Sequence, residues 1–198
     1  EVLGLKALEL PTNPSHGVDV EAMARLLAIE PVAACVLSSS FSNPLGALMP
    51  EARKREVLAL LARHKVPLIE DDVYGEIHFT RERPRPFIAL DGGANTIYCS
   101  SFSKSLAPGY RIGWIAPGPF AQQVMDRKLA YSLCGPVLPQ VAIAEFLASG
   151  AFDAHMRRLR RLLEENLLRL ARAIEADFPA ETRVSRPTGG FALWVELP

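Results

Sequence analysis

An α/β protein with a mostly parallel sheet and flanking helices is the fold class the sequence predicts, and three observations predict it. Strand and helix signals alternate along the chain. Several strand signals are continuous apolar runs with β-branched members, such as Val32 to Leu37 and Val66 to Ile69, the composition of strands buried on both faces. Successive runs also end in polar clusters, where open α/β sheets hold their ligands.

The elements follow in order. Lys6-Ala7-Leu8-Glu9-Leu10, within Gly4 to Leu10, reads as a short strand. Asp19 is placed to cap a helix to about Ile29, with Met23, Leu26 and Leu27 on one face. Val32 to Leu37 is a buried strand, and a polar loop follows it. Pro50 opens a helix through about His64, since the N–H that proline lacks would go unpaired in a first turn. The strand Val66 to Ile69 ends in Glu70-Asp71-Asp72, ahead of a loop rich in Arg and Pro from Arg81 to Pro86. Thr96 to Ser100 and Arg111 to Ala116 are strands, the second closed by Pro117-Gly118-Pro119. Phe120 to Leu133 and Pro139 to Ala148 read as helices. A long helix from about Phe152 to Ala176 carries Leu159, Leu162, Leu163, Leu167 and Leu170 at helical spacing. Its basic run, Arg157-Arg158-Leu159-Arg160-Arg161, reads as a solvated face. The last strand runs from Gly190 to Leu197. This order divides the chain into a large domain over residues 1–150 and, over 151–198, a linker helix with the start of a small C-terminal domain.

Lys+Arg and Asp+Glu both total 22, so the formal charge is zero and nothing marks a nucleic-acid surface or an anionic membrane as this segment's partner. No apolar run is long enough to span a bilayer. Cys35, Cys99 and Cys134 are widely spaced, lie in apolar stretches and form no CxxC pair, so they are expected to be buried free thiols of a cytoplasmic protein. The chain begins at Glu1 rather than Met and stops at Pro198 where a strand has just ended, and it is expected to be a piece of a longer protein, truncated on the N-terminal side of its large domain.

Three strand ends supply the chemistry. The first leads into Ser38-Ser39-Ser40-Phe41-Ser42-Asn43-Pro44-Leu45-Gly46, the second into Asp71-Asp72-Val73-Tyr74, and the third into Ser101-Phe102-Ser103-Lys104, followed by Arg111. Each residue alone has an ordinary explanation: a surface lysine, a loop acid, a turn at Asn-Pro. Together they provide one amine, a carboxylate, a phenol, an amide, hydroxyls and a guanidinium, which is what a phosphorylated pyridine aldehyde requires. The amine bonds the aldehyde, the carboxylate keeps the ring nitrogen protonated, the phenol and amide serve the ring oxygen, and hydroxyls with a guanidinium fork hold the phosphate.

The phrase Ser101-Phe102-Ser103-Lys104-Ser105-Leu106-Ala107-Pro108-Gly109-Tyr110-Arg111-Ile112-Gly113-Trp114 resembles the fold-type-I, class I/II aminotransferases that use pyridoxal 5′-phosphate (PLP). Within that family the chain is most similar to the aminotransferase-like domain of GntR-type transcriptional regulators of the MocR subgroup. The resemblance implies that Lys104 is the Schiff-base lysine and that Arg111, Ser101 and Ser103 bind the phosphate. It implies that Asp71 meets the pyridinium nitrogen, that Tyr74, three residues on, and Asn43 touch the ring oxygen, and that Asp72 is structural. Pro187 to Trp194 resembles the strand that opens the small domain and borders the substrate. Leu45 departs from the family, which commonly has Thr there. The glycine-rich loop, the stacking aromatic and the DNA-binding winged helix of a regulator would lie upstream of Glu1, and the arginine that grips a substrate carboxylate beyond Pro198.

The resemblance leaves two function classes open: an aminotransferase, and an effector-sensing domain of a transcription factor. Both imply PLP, an amino acid or amine as small-molecule partner, and a homodimer, with DNA contacted only through a segment outside this chain. A Rossmann-type binding domain is disfavoured because no GxGxxG follows a strand.

Overall fold

A computed structural model of the chain describes residues 4–198; Glu1 lies outside them. The central sheet has four strands, β3 (Cys35–Leu37), β6 (Leu68–Asp71), β7 (Thr96–Ser101) and β8 (Gly113–Ala116), in the order β3-β6-β7-β8. The first three are parallel and β8 runs antiparallel to β7, so the sheet is mixed but mostly parallel. Among the described residues there are also three small antiparallel pairs: β1 (Thr12–Asn13) with β2 (Gly17–Val18), β4 (Ser40–Ser42) with β5 (Ala47–Leu48), and β9 (Arg183–Val184) with β10 (Val195–Glu196).

Two helices, α1 (Val20–Ile29) and α2 (Glu51–His64), are connected to the sheet by the main core. Met23 and Leu27 from α1, Val57, Leu60 and Leu61 from α2, and Leu68 from β6 meet there, all buried. Each such side chain contributes about 1.5–3 kcal/mol by leaving water. Asp19 caps α1 as predicted, accepting from the Ala22 N–H at 2.8 Å. A short helix α3 (Ile88–Asp91) precedes β7. Beyond β8 come α4 (Ala121–Ser132), α5 (Val137–Ala148) and the long α6 (Ala151–Asp177).

Several expectations need correction. Lys6 to Leu10 forms no strand and is mostly exposed; among the described residues the first strand is β1, in the β1–β2 hairpin. Val32 to Leu37 joins the ladder only from Cys35, and Val36 is 65% exposed, because β3 is an edge strand among the described residues. The polar loop after it holds the β4–β5 hairpin. The second sheet strand reaches Asp71, so that residue closes the strand instead of following it. Arg111 and Ile112 stay outside β8, and Gly190 to Leu197 is extended strand only at Val195–Glu196. Along α6, Leu167 is buried but Leu162 and Leu170 are exposed. Cys35 is buried and Cys99 half-buried, but Cys134 is exposed in the connection between α4 and α5. Burial pushes the Cys35 thiol up to about 11. No single helix among the described residues is long and apolar enough to cross a membrane.

Candidate functional site

Parallel pairing of β3, β6 and β7 carries three strand ends to one edge of the sheet. The chain leaving β3 enters the β4–β5 hairpin, whose turn holds Asn43. Asp71 ends β6, in register with Cys99. Ser101 ends β7, and the turn after it presents Lys104.

The amine and the phenol come together. Asn43 donates through Nδ2 to the Tyr74 hydroxyl at 3.5 Å. The Lys104 Nζ stands 6.0 Å from the centroid of the Tyr74 ring and 5.9 Å from that of Phe191. The two rings meet edge to face at 5.4 Å, a preferred aromatic geometry. Lys104 is exposed, and no carboxylate among the described residues pairs with it. A lysine over two aromatic faces gains only about 0.5–1 kcal/mol at an exposed position. Its amine therefore keeps its hydrogen-bonding capacity for another partner.

A second group forms beside it. The Ser103 N–H donates to Ser101 Oγ at 3.4 Å, and Arg111 donates to Ser103 Oγ at 3.4 Å. Arg111 follows the 3-10 turn Pro108–Tyr110 and sits in the left-handed region at φ 53°, an uncommon conformation for a residue with a side chain. There the chain reverses, and β8 returns antiparallel along β7, with the Phe102 N–H bonded to the Ile112 carbonyl at 3.0 Å. Arg111 too has no carboxylate partner among the described residues. Two hydroxyls and a guanidinium free of acids suit an anion such as a phosphate.

The acidic triplet divides by strand alternation. Glu70 is fully buried, accepting from Ser39 Oγ at 3.0 Å and from the N–H groups of Phe87 at 2.8 Å and Ile88 at 3.2 Å, so it tethers the start of α3. Asp71 is exposed, and its side chain takes part in no hydrogen bond or ion pair among the described residues. Asp72 is buried again, accepting from the Tyr98 hydroxyl at 2.9 Å and pairing with Arg83. Burial pushes the Asp72 carboxyl up, against the pull of Arg83, and pushes the Tyr98 phenol up to about 12. Arg83 also pairs with Glu76 at 2.7 Å. Asp72 thus belongs to a buried charge network, and of the two aspartates only Asp71 is available to a ligand.

Sequence reasoning placed Asn43, Tyr74 and Lys104 at the same strand edge, and the structure brings them into one cluster; Ser101, Ser103 and Arg111 form a second, joined to it through the Ser103–Lys104 peptide. The individual role of Phe191 was missed. Gly189-Gly190 just before it was the available signal, because both glycines press on the buried Phe41 and draw that segment against the Asn43 hairpin. A hollow of about 1030 Å³, between β7–β8 and α4, is lined by Trp114, Ile115, Met125 and Tyr131 among others and holds none of the predicted site residues.

The whole described chain matches one family: the model for aminotransferase class I and II covers residues 2–198. The HTH-type transcriptional regulator YjiR of Escherichia coli is 43% identical over 196 residues, 99% of this chain and 42% of that protein. The 2-aminoadipate transaminase of Thermus thermophilus is 33% identical over 98% of this chain and 50% of its own length. Among solved structures, LysN, an α-aminoadipate aminotransferase from Thermus thermophilus complexed with N-(5′-phosphopyridoxyl)-L-leucine, superposes with a TM-score of 0.90 at 32% identity, covering 96% of this chain and 50% of that one. The chain spans half the length, or less, of these relatives.

Proposed function

The chain belongs to the aminotransferase class I and II family, and we propose that it is the cofactor-holding part of a PLP protein in which Lys104 is the residue joined to the cofactor. One observation carries this reading: an amine with no carboxylate partner among the described residues stands about 6 Å from the centroids of both the Tyr74 and Phe191 rings, at the carboxyl edge of the parallel strands. The donor set fits the group. Asp71 and Arg111, like Lys104, lack a counter-ion among the described residues, whereas Lys54 is buried and donates to the Arg85 carbonyl at 2.7 Å.

PLP, when bound, supplies an electron-withdrawing ring that acidifies the Cα–H bond of an attached amino compound. Lys104 would hold the cofactor through its amine and would serve as the base for the Cα proton of an amino compound. Asp71 keeps a proton on the ring nitrogen. Tyr74 and Asn43 orient the ring oxygen, and Ser101, Ser103 and Arg111 hold the phosphate against water. Phe191 closes the apolar side of the site.

The whole protein is, in this reading, a regulator of the GntR/MocR type that binds an amino acid or amine, forms a homodimer and contacts DNA through a winged helix outside this chain. The higher identity to YjiR than to the transaminase favours the regulator over a free-standing enzyme.

Borohydride reduction of the whole PLP-loaded protein, followed by mass mapping of the pyridoxyl group, tests the assignment. A label on Lys104 is expected. A label on Lys6, Lys54, Lys65 or Lys128 instead rules it out.

A further inference from the structure

The long helix α6 touches both loops that build the site. His155 donates through Nε2 to the carbonyl of Ser105, the residue after Lys104, at 2.8 Å. Ser105 is 3% exposed, so water does not readily replace that donor. Phe152, three residues earlier, meets the ring of Phe102 edge to face at 6.3 Å, two residues before Lys104. Arg160, five residues beyond His155, donates through Nε to the Glu76 carbonyl at 2.7 Å and pairs with the Glu76 carboxylate at 3.4 Å. Glu76 lies two residues after Tyr74 and is also held by Arg83, which pairs with Asp72 as well. Phe152, His155, Met156 and Arg160 fall at spacings of three, four and eight, so they form one strip along the helix.

We propose that this strip positions the site. His155 sets the turn that presents Lys104, Arg160 sets the loop that presents Tyr74, and the helix between them fixes how far the amine stands from the phenol. The two residues contact neither Lys104 nor Tyr74 directly, so they act as positioning residues. Any displacement of α6 along its axis moves both loops at once, and occupancy of the site becomes mechanically tied to the segment that α6 leads into. The inference rests on the reading of Lys104 as the cofactor lysine.

The test uses the whole protein titrated with PLP, read by the cofactor's absorption band, by the pH midpoint of that band and by thermal melting. His155→Asn keeps a polar side chain too short to reach the Ser105 carbonyl, while His155→Gln restores a donor at the right length. Arg160→Met removes both contacts to Glu76, and Arg157→Met, on the exposed face, serves as control. His155→Asn and Arg160→Met are expected to weaken PLP binding about tenfold each and to shift the pH midpoint, since each strands a hydrogen-bond acceptor. His155→Gln and Arg157→Met stay within about twofold of the parent. Unchanged affinity and midpoint in His155→Asn and Arg160→Met, with Lys104 still labelled by borohydride, overturn the proposal while leaving the cofactor reading intact. Equal impairment of His155→Asn and His155→Gln also overturns it. Should Arg160→Met melt below the assay temperature, the Asn–Gln pair decides alone. Failure to label Lys104 in the unmodified protein removes the cofactor reading, and the inference with it.

Discussion

Neighbouring aspartates with opposite surroundings make a sharp comparison. Asp71 is exposed and uncommitted, whereas Asp72 is buried against Arg83 and Tyr98. Asp71→Asn is expected to leave the urea midpoint almost unchanged, within about 0.5 kcal/mol, and to slow proton transfer severely in stopped-flow measurements with bound PLP. Asp72→Asn is expected to do the reverse. Removing one partner of a buried pair costs about 3–5 kcal/mol, and the 28% exposure of the Arg83 side chain reduces this to about 2–3 kcal/mol. Equal kinetic effects from the two changes would show that the roles are wrongly divided. In the sequence this division came only through the family resemblance, which matched Asp71 at its three-residue step from Tyr74 and left Asp72 a structural part; the structure shows that Asp72 is buried and Asp71 exposed. The partners of Asp72 were not legible, because Arg83 sits in an irregular loop and Tyr98 in another strand, and neither carries a local pattern that points to Asp72. Arg160 was hidden for a related reason, in that a basic run on an amphipathic helix looks solvated until the fold shows which of its members turn inward.

Among the elements, the helices were read closely because their apolar spacing is local. Asp19 capping α1 and the end of α2 near His64 both follow from residues within one or two turns. The short strands were harder, since their existence depends on a partner far along the chain. The segment 187–192 illustrates this. It was expected to be a strand, yet it is mainly a strap clamped over the β4–β5 hairpin. The Gly190 N–H bonds the Ile77 carbonyl at 2.6 Å, the Phe79 N–H bonds the Thr188 carbonyl at 2.8 Å, and Gly189 lies directly against the Phe41 ring. A methyl group at Gly189 has no room between that ring and the Ile77 backbone. Gly189→Ala is therefore expected to destabilise the fold by roughly 1–3 kcal/mol, the usual cost of overfilling a packed interior. The same change at Gly109, where nothing lies within 4 Å, serves as the control. Matching urea midpoints for the two variants would show that the strap is looser than its contacts imply.

At the level of the whole molecule, the exposed apolar surface gathers on β8, α4 and α5. Trp114, Ile115, Met125, Leu129 and Tyr131 face outward there, and Leu138 is 83% exposed. Exposed apolar residues gathered in this way suit a face that other protein covers, and we propose that two-fold pairing of subunits, the commonest assembly of soluble proteins, supplies that cover. The whole protein is expected to sediment as a dimer at micromolar concentration with PLP bound, and a monomer under those conditions would argue against the pairing. Trp114 has a further consequence of its own. Its indole packs on Phe102 at 4.7 Å, two residues from Lys104, whereas Trp194, the other tryptophan of the chain, donates to Glu196 in the C-terminal hairpin. A pyridine chromophore joined to Lys104 would absorb part of the light that Trp114 emits, so the chain carries its own optical gauge of occupancy.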